Sequence, residues 1–217
     1  MIESYEPHVM NILDQVLQPG DICIDAGAHI GEFTSVMAKV TDLIHAFEIL
    51  PANIDVLRHK FSTNPFITIN HMAVADRSGM LDLFCGQSSF EGNIIGRDMR
   101  GNNALRKIGS VEAISIDQYV FNFPRLNLVK MDVEGAEHLV LKGMVHCLRT
   151  MRPLVIIEFH DDTGWAGRKY LQENDYRLWA IYHNGQVIND WVDYNHDRIY
   201  HCMGVPSERA NTIGIIS

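Results

Sequence analysis

Apolar positions along the chain follow two rhythms that alternate. Short continuous apolar runs recur in "DICIDAG", "LIHAFEI", "FITINHMAVA", "NLVKMD" and "RPLVIIEFH". Their length and β-branched content predict strands buried on both faces. Segments of helical period lie between them. "IGEFTSVMAKV" sets Ile30, Phe33, Met37 and Val40 on one face, and Ala136, Leu139, Val140 and Gly143 do the same after "NLVKMD". "NIDVLRHKFSTN" predicts a further helix, and an opening helix over about Pro7 to Leu17 stops at Pro19-Gly20. "GMLDLFC" and "VEAISID" predict two more strands on either side of a loose stretch, residues 86–110, rich in Gly, Asn, Ser and Arg. In the tail, "YRLWAIYHNGQVI" and "NTIGIIS" read as closing antiparallel strands. Strand–helix alternation with continuous apolar strands predicts an α/β, Rossmann-like, doubly wound sheet that is mostly parallel.

Composition narrows this only a little. The 217 residues are 47% hydrophobic, enough for one domain with a substantial core. The expected layout is one domain over 1–217, with a helical lead-in at 1–18, a substrate-side insertion at 86–110 and C-terminal strands or a cap at 161–217. A net charge of -9 without a Lys/Arg block argues against nucleic acid as the main partner. Cys23, Cys85, Cys147 and Cys202 are far apart and form no metal or redox spacing. With no signal peptide and no apolar run of membrane-spanning length, the expectation is a cytoplasmic protein in a reducing compartment that does not engage a membrane.

The first strand-to-helix turn carries the strongest ligand signature. "DICIDAGAHIGEFTS" puts Asp25, Gly27, Ala28, His29 and Gly31 where a tight turn lets a ligand approach the backbone. Glu48 closes the second strand, placed to accept the hydroxyls of a ribose. A dinucleotide site needs a glycine in the middle of the turn, and here that slot holds His29. S-adenosyl-L-methionine has no phosphates, and its ammonium could meet a carboxylate such as Asp25, so this cofactor is favoured over NAD.

Three carboxylates follow the fourth core strand: Asp132, Glu134 and Glu137. A helix start stabilises negative charge, which accounts for Glu137. Ligands of open α/β sheets bind at the carboxyl ends of strands, which gives Asp132 and Glu134 the task of orienting or deprotonating an acceptor. His160 is a further candidate base, since its side chain titrates near neutrality. The Asp132/Glu134 and His160-Asp161-Asp162 groups could also hold a divalent metal, but no tight ligand spacing appears and no metal is expected. Arg97, Arg100, Arg106 and Lys107 could meet an anionic group on the acceptor, or simply be solvated. Trp165, Tyr170, Trp179 and Trp191 read as core or cap packing.

Four blocks, in order, resemble the FkbM-type methyltransferases, a branch of the class I S-adenosylmethionine-dependent enzymes. They are "PGDICIDAGAHIGEFT", "HAFEILPAN", "MAVADRSGMLDLF" and "SIDQYV" leading into "LVKMDVEGAEHLVLKGM", with "LVIIEFH" extending the match. The resemblance implies a seven-stranded methyltransferase sheet and methyl transfer to a hydroxyl oxygen of a sugar, glycan or natural product. It implies that Asp25, Gly27 and Gly31 frame the methionine part, that Glu48 holds the ribose, and that Met72 and Ala73 lie against adenine. "SYEP" resembles the family's lead-in, where Glu6 would help close the cofactor site. His29 departs from the asparagine common in the family. N-methylation of an amide or amine, including on a peptide, remains the alternative within the class. An NAD-dependent oxidoreductase and a non-catalytic cofactor-binding module are the alternatives outside it. Partners are a small-molecule, glycan or peptide acceptor and a possible second copy of the chain.

Overall fold

The structure is a computed structural model describing residues 6–41, 43–86, 92–96, 105–158, 166–188 and 201–213. Helix α1 (Pro7–Val16) opens the chain, with proline at a helix start that has no use for its missing N–H. Strand β1 (Ile22–Ala26), α2 (Glu32–Met37), β2 (Leu43–Glu48), α3 (Pro51–Lys60) and β3 (Ile67–His71) follow as two crossovers. The chain then leaves the main sheet. β4 (Ala73–Val74), β5 (Gly79–Cys85), β6 (Gly92–Asn93) and β7 (Arg106–Ile114) form a second sheet of order β4-β7-β5-β6. α4 (Ile116–Tyr119) returns to the main sheet, continued by β8 (Leu128–Met131), α5 (Glu137–Lys142), α6 (Val145–Thr150) and β9 (Leu154–Glu158). α7 (Arg168–Gln172), β10 (Tyr176–Ile181), β11 (Val187–Ile188) and β12 (His201–Pro206) complete it.

The main sheet runs β3-β2-β1-β8-β9-β12-β10-β11. Its first five strands are parallel, and β12 is antiparallel to both β9 and β10. This is the doubly wound sheet expected from the alternation, with antiparallel strands closing it. Side chains divide by parity, as the pleat requires. Ile22, Ile24, Val129, Met131, Val155 and Ile157 pack with residues of α4, α5 and α6. Cys23, Leu128, Leu154 and Ile156 pack with α1 and α2 on the opposite face.

Two expectations change. "FITINHMAVA" is not one strand: it breaks after His71, and Ala73–Val74 pair with β7 in the second sheet. Continuous apolar sequence could not reveal this, because both halves are apolar for different cores. Of "NTIGIIS", residues 211–213 form a turn and an irregular end, and residues 214–217 lie outside the described residues. The closing strand is "HCMGVP", inserted between β9 and β10. Its glycine and terminal proline hid it from pattern reading.

Gly143, where α5 gives way to α6, shows how tightly the two sheets join. A Cβ there would lie 2.1 Å from the Ala75 carbonyl oxygen. Its own carbonyl accepts from the Asp117 N–H, and the Asp117 carboxylate accepts from the N–H groups of His146 and Cys147 at the start of α6. Gly143→Ala should therefore destabilise the protein by about 1–3 kcal/mol through overpacking. Gly109→Ala, with open space around its Cβ position, should stay within about 0.5 kcal/mol of the parent. Urea unfolding of both variants checks this.

Candidate active site

The first turn is built by backbone donors and one carboxylate. The N–H groups of Gly27 and Ala28 donate to the Phe47 carbonyl, 3.0 and 2.9 Å away, which lays the turn after β1 across the end of β2. Glu48 then fastens it. One carboxylate oxygen accepts from the His29 N–H at 2.8 Å, and the other accepts from Ile49 and Leu50 at 2.7 and 2.8 Å. Burial lifts the Glu48 carboxyl above its ordinary range, and the three backbone donors pull the other way. Gly27 has φ +79, and a Cβ there would sit 1.7 Å from the Asp132 carbonyl oxygen. Only glycine lets the turn after β1 press so closely against the turn after β8. His29 takes a left-handed φ of 52, with its ring partly exposed toward Glu32.

The turn after β8 is shaped by Glu137. This fully buried side chain accepts from the Val133 and Gly135 N–H groups at 3.2 and 3.0 Å. It thereby satisfies donors of the turn that precedes α5, the structural task read for it from sequence. Glu134 and Gly135 adopt φ of 53 and 94 within that turn. Asp132 and Glu134 stay partly exposed at its rim.

Behind both turns lies a charge that the strand pattern concealed. Lys130 is the register partner of Asp25 and points to the same face as Leu128, among apolar side chains of α1 and α2. Its ammonium lies 3.7 Å from Asp25, 3.7 Å from Asp132 and 3.4 Å from the Gly27 carbonyl, and 4.5 Å above the Phe33 ring. Burial pushes its pKa down, but Asp132, Asp25, Glu158 and Glu6 together hold it above the ordinary lysine value. Burial lifts Asp25, against the pull of Lys130 and of the Thr34 hydroxyl, which donates to it at 2.6 Å. Asp25 has no exposed surface and lies beneath the turn, against Lys130 and Thr34.

A second cluster closes the far side of the row. His201 is the register partner of Glu158. Its Nε2 lies 3.1 Å from Glu6 and 3.7 Å from Glu158, and its Nδ1 lies 3.3 Å from Nε2 of His8. Burial works against charge on His201, yet the hydrogen bonds to Glu158 and Glu6 lift its pKa to about 9. Burial, followed by the charges of His201 and His183, pushes His8 down to about 4.

Asp25, Gly27, Ala28, His29, Gly31, Glu48, Asp132 and Glu134 thus gather at the carboxyl ends of β1, β2 and β8. Glu6 stands at the start of α1 with the His201 cluster. Met72 is partly buried against the main core, and Ala73 is buried in β4 beneath the second sheet. His160, Asp161, Asp162, Arg97, Arg100, Trp165 and Trp191 lie outside the described residues. Arg106 and Lys107 stand on β7, where Lys107 pairs with Asp82 at 2.7 Å. Sequence reasoning missed Lys130 and His201. A lysine inside an apolar strand was a usable signal for the first, because a buried ammonium requires carboxylates nearby. Nothing comparable marked the second.

Comparison with known proteins gives a consistent result. The Methyltransferase FkbM domain family matches residues 25–178. A hexuronic acid methyltransferase of Haloferax volcanii is 31% identical over 159 residues, covering 71% of this chain and 62% of the relative. Among solved structures, an FkbM methyltransferase from Methylobacillus flagellatus superposes with a TM-score of 0.54 at 16% identity, over 85% of this chain and 43% of that one. Aeropyrum pernix fibrillarin with natively bound S-adenosyl-L-methionine superposes with a TM-score of 0.50 at 11% identity, over 88% and 68%. The chain therefore spans less than two thirds of the relative and of the Methylobacillus protein.

The two histidines predict how stability varies with pH. His201 binds a proton more tightly when folded, so its contribution is complete below about pH 6.5 and is lost as pH rises through about 9. His8 binds one more weakly when folded, so its contribution is complete above about pH 6.5 and is lost as pH falls through about 4. Thermal melts in chelator-treated buffers should show a maximum between these limits, each limb worth on the order of 1–3 kcal/mol. His201→Asn should flatten the alkaline limb, and His8→Asn the acid limb.

Proposed function

The chain belongs to the FkbM methyltransferase family, and on that premise we propose that it transfers a methyl group from S-adenosylmethionine to a hydroxyl of a sugar, glycan or natural-product small molecule. A sugar hydroxyl is the favoured acceptor, in keeping with the hexuronic acid methyltransferase among its relatives. The observation that carries the reading is the bracing of two turns against each other, Gly27 against the Asp132 carbonyl, with Glu48 fastening the first of them. On this reading a nucleoside carboxylate and an acceptor carboxylate flank β1 at the carboxyl ends of the strands, the place where open α/β sheets bind ligands.

The residues fit the cofactor. Glu48 gives three of its roughly four acceptor directions to backbone N–H groups, which fixes it rigidly and leaves capacity for a ribose hydroxyl. Gly27 and Gly31 keep the turn narrow, and His29 stands where a pyrophosphate would need the bare backbone of a glycine. Met72 and Ala73, at the passage from β3 into the second sheet, would flank the base. Glu6 would close the methionine end, and Asp25 would support it indirectly by holding Lys130. When bound, S-adenosylmethionine supplies a methyl group on a sulfonium, which leaves to a nucleophile in line with the C–S bond.

The chain's own task is then alignment, exclusion of water and disposal of one proton. Asp132 and Glu134 orient the acceptor hydroxyl by accepting its hydrogen bond. The carboxylate in contact with it takes the proton as the oxygen becomes an ether. Lys130, 3.7 Å from Asp132, holds that carboxylate to the sheet edge from behind. Outside the described residues, His160 is a second candidate for the base.

Glu48→Ala should weaken S-adenosylmethionine binding by about 1–3 kcal/mol, the usual scale for lost hydrogen bonds to a charged group. Isothermal titration reads it, and an unchanged affinity removes Glu48 from the site. Asp132→Asn and Glu134→Gln should each lower kcat by about 10²-fold while leaving cofactor affinity within a few-fold. Mass spectrometry with uronic acids and neutral sugars as acceptors, scoring the gain of one methyl, tests the substrate class. Transfer confined to amine acceptors would replace the hydroxyl reading with N-methylation.

A further inference from the structure

Glu6, Glu158 and His201 come from three distant parts of the chain: the start of α1, the end of β9 and the start of β12. Their nearest oxygen and nitrogen atoms all lie within 4.8 Å of one another. We propose that these three side chains form a divalent-cation site at the acceptor edge of the sheet. The site is separate from the acidic turn of Asp132 and Glu134, and it takes a metal of the Mn²⁺ or Zn²⁺ type.

Geometry supports this first. His201 Nε2 lies 3.1 Å from the Glu6 oxygen and 3.7 Å from the Glu158 oxygen. A cation with bonds of about 2.1 Å sets adjacent ligand atoms roughly 3.0–3.5 Å apart, so small rotations of the carboxylates suffice. The second support is the ring behind the site. His8 is almost entirely buried and turns its Nε2 to Nδ1 of His201 at 3.3 Å. An imidazole ligand needs its other nitrogen engaged, which fixes the ring and the tautomer that directs Nε2 toward a metal. The backbone adds a third. Glu158 and His201 are register partners on adjacent antiparallel strands, so two of the three ligands stand on rigid elements.

The donor set also selects the ion. Two carboxylates and one imidazole give a borderline-hard site that suits Mn²⁺ and Zn²⁺ better than Ca²⁺, which asks for six or more oxygens. His201 is almost fully buried, while Glu6 and Glu158 keep a partly exposed rim. Three protein ligands with an open side leave room for water or for an oxygen of a sugar. Lys130 lies near enough for its charge to be felt by Glu6 and Glu158, which lowers the affinity for a cation. The site is thus expected to be exchangeable, not a permanent structural centre. Spacing along the sequence could not disclose it, because the ligands share no short motif.

Binding is measured without acceptor or S-adenosylmethionine, so the outcome is independent of the methyl-transfer reading. Chelator-treated protein is titrated with MnCl₂, and free Mn²⁺ is followed by electron paramagnetic resonance, with ZnCl₂ as competitor. One Mn²⁺ per chain is expected, displaced by Zn²⁺. Glu158→Gln and His201→Gln should each weaken binding at least tenfold. Glu6→Gln, at a helix start outside the sheet and so the variant least prone to misfold, should do the same. Asp132→Asn should bind within about threefold of the parent. No binding up to millimolar Mn²⁺ overturns the proposal. So does binding that survives Glu6→Gln and Glu158→Gln but is lost in Asp132→Asn.

Discussion

A single ammonium group constrains this molecule more than any other. Lys130 sits on a sheet face among Cys23, Leu128, Leu154 and Ile156, packed by α1 and α2. Removing a lysine charge from water costs several kcal/mol, and only close carboxylates offset it. Asp25 and Asp132 must therefore lie beside it, as they do. Asp25 is fixed by register, one strand away. Asp132 is fixed because the turn after β8 has to bend back toward the ammonium. A requirement of the core thus decides where the Asp132 carboxylate stands.

The rest of the site follows from turns bracing turns. Gly27 presses on the Asp132 carbonyl, so the loops after β1 and β8 form one unit. Glu48 joins the first of them to the end of β2, and Glu137 ties the second to α5. The second sheet packs Ala73, Leu83, Val111 and Ala113 against Leu50, two residues after Glu48, and so stiffens the end of β2. At β9 and β12, the start of α1 brings Glu6 and His8 to His201 and Glu158. Preorganisation of this kind is what methyl transfer asks of a protein, since the reaction needs alignment more than it needs covalent help.

Much of this was legible in the chain. The apolar runs located β1, β2, β8 and β9 because strands covered on both faces leave an unmistakable imprint. The turn glycines and Glu48 were legible because left-handed backbone and strand-end carboxylates have few other uses. What escaped was non-local. The break at Met72 separates two apolar cores that look alike in sequence, and β12 is recognisable only once β9 and β10 flank it. His201 gains its meaning from Glu6, His8 and Glu158, which no local window contains. For Asp25 the motif position was legible, but its full burial beside Lys130 was not, because the pair joins residues about a hundred positions apart.

The claim that the Lys130–Asp25 pair organises the site is tested most directly by a double-mutant cycle on stability, read by urea unfolding of the wild type, Lys130→Met, Asp25→Asn and the double variant. Removing either partner alone should cost about 3–5 kcal/mol, because it leaves an uncompensated buried charge. The double variant should cost no more than the worse of the two singles, giving a coupling energy of about 3 kcal/mol or more. Costs that simply add, or a Lys130→Met variant as stable as the wild type, would contradict the account.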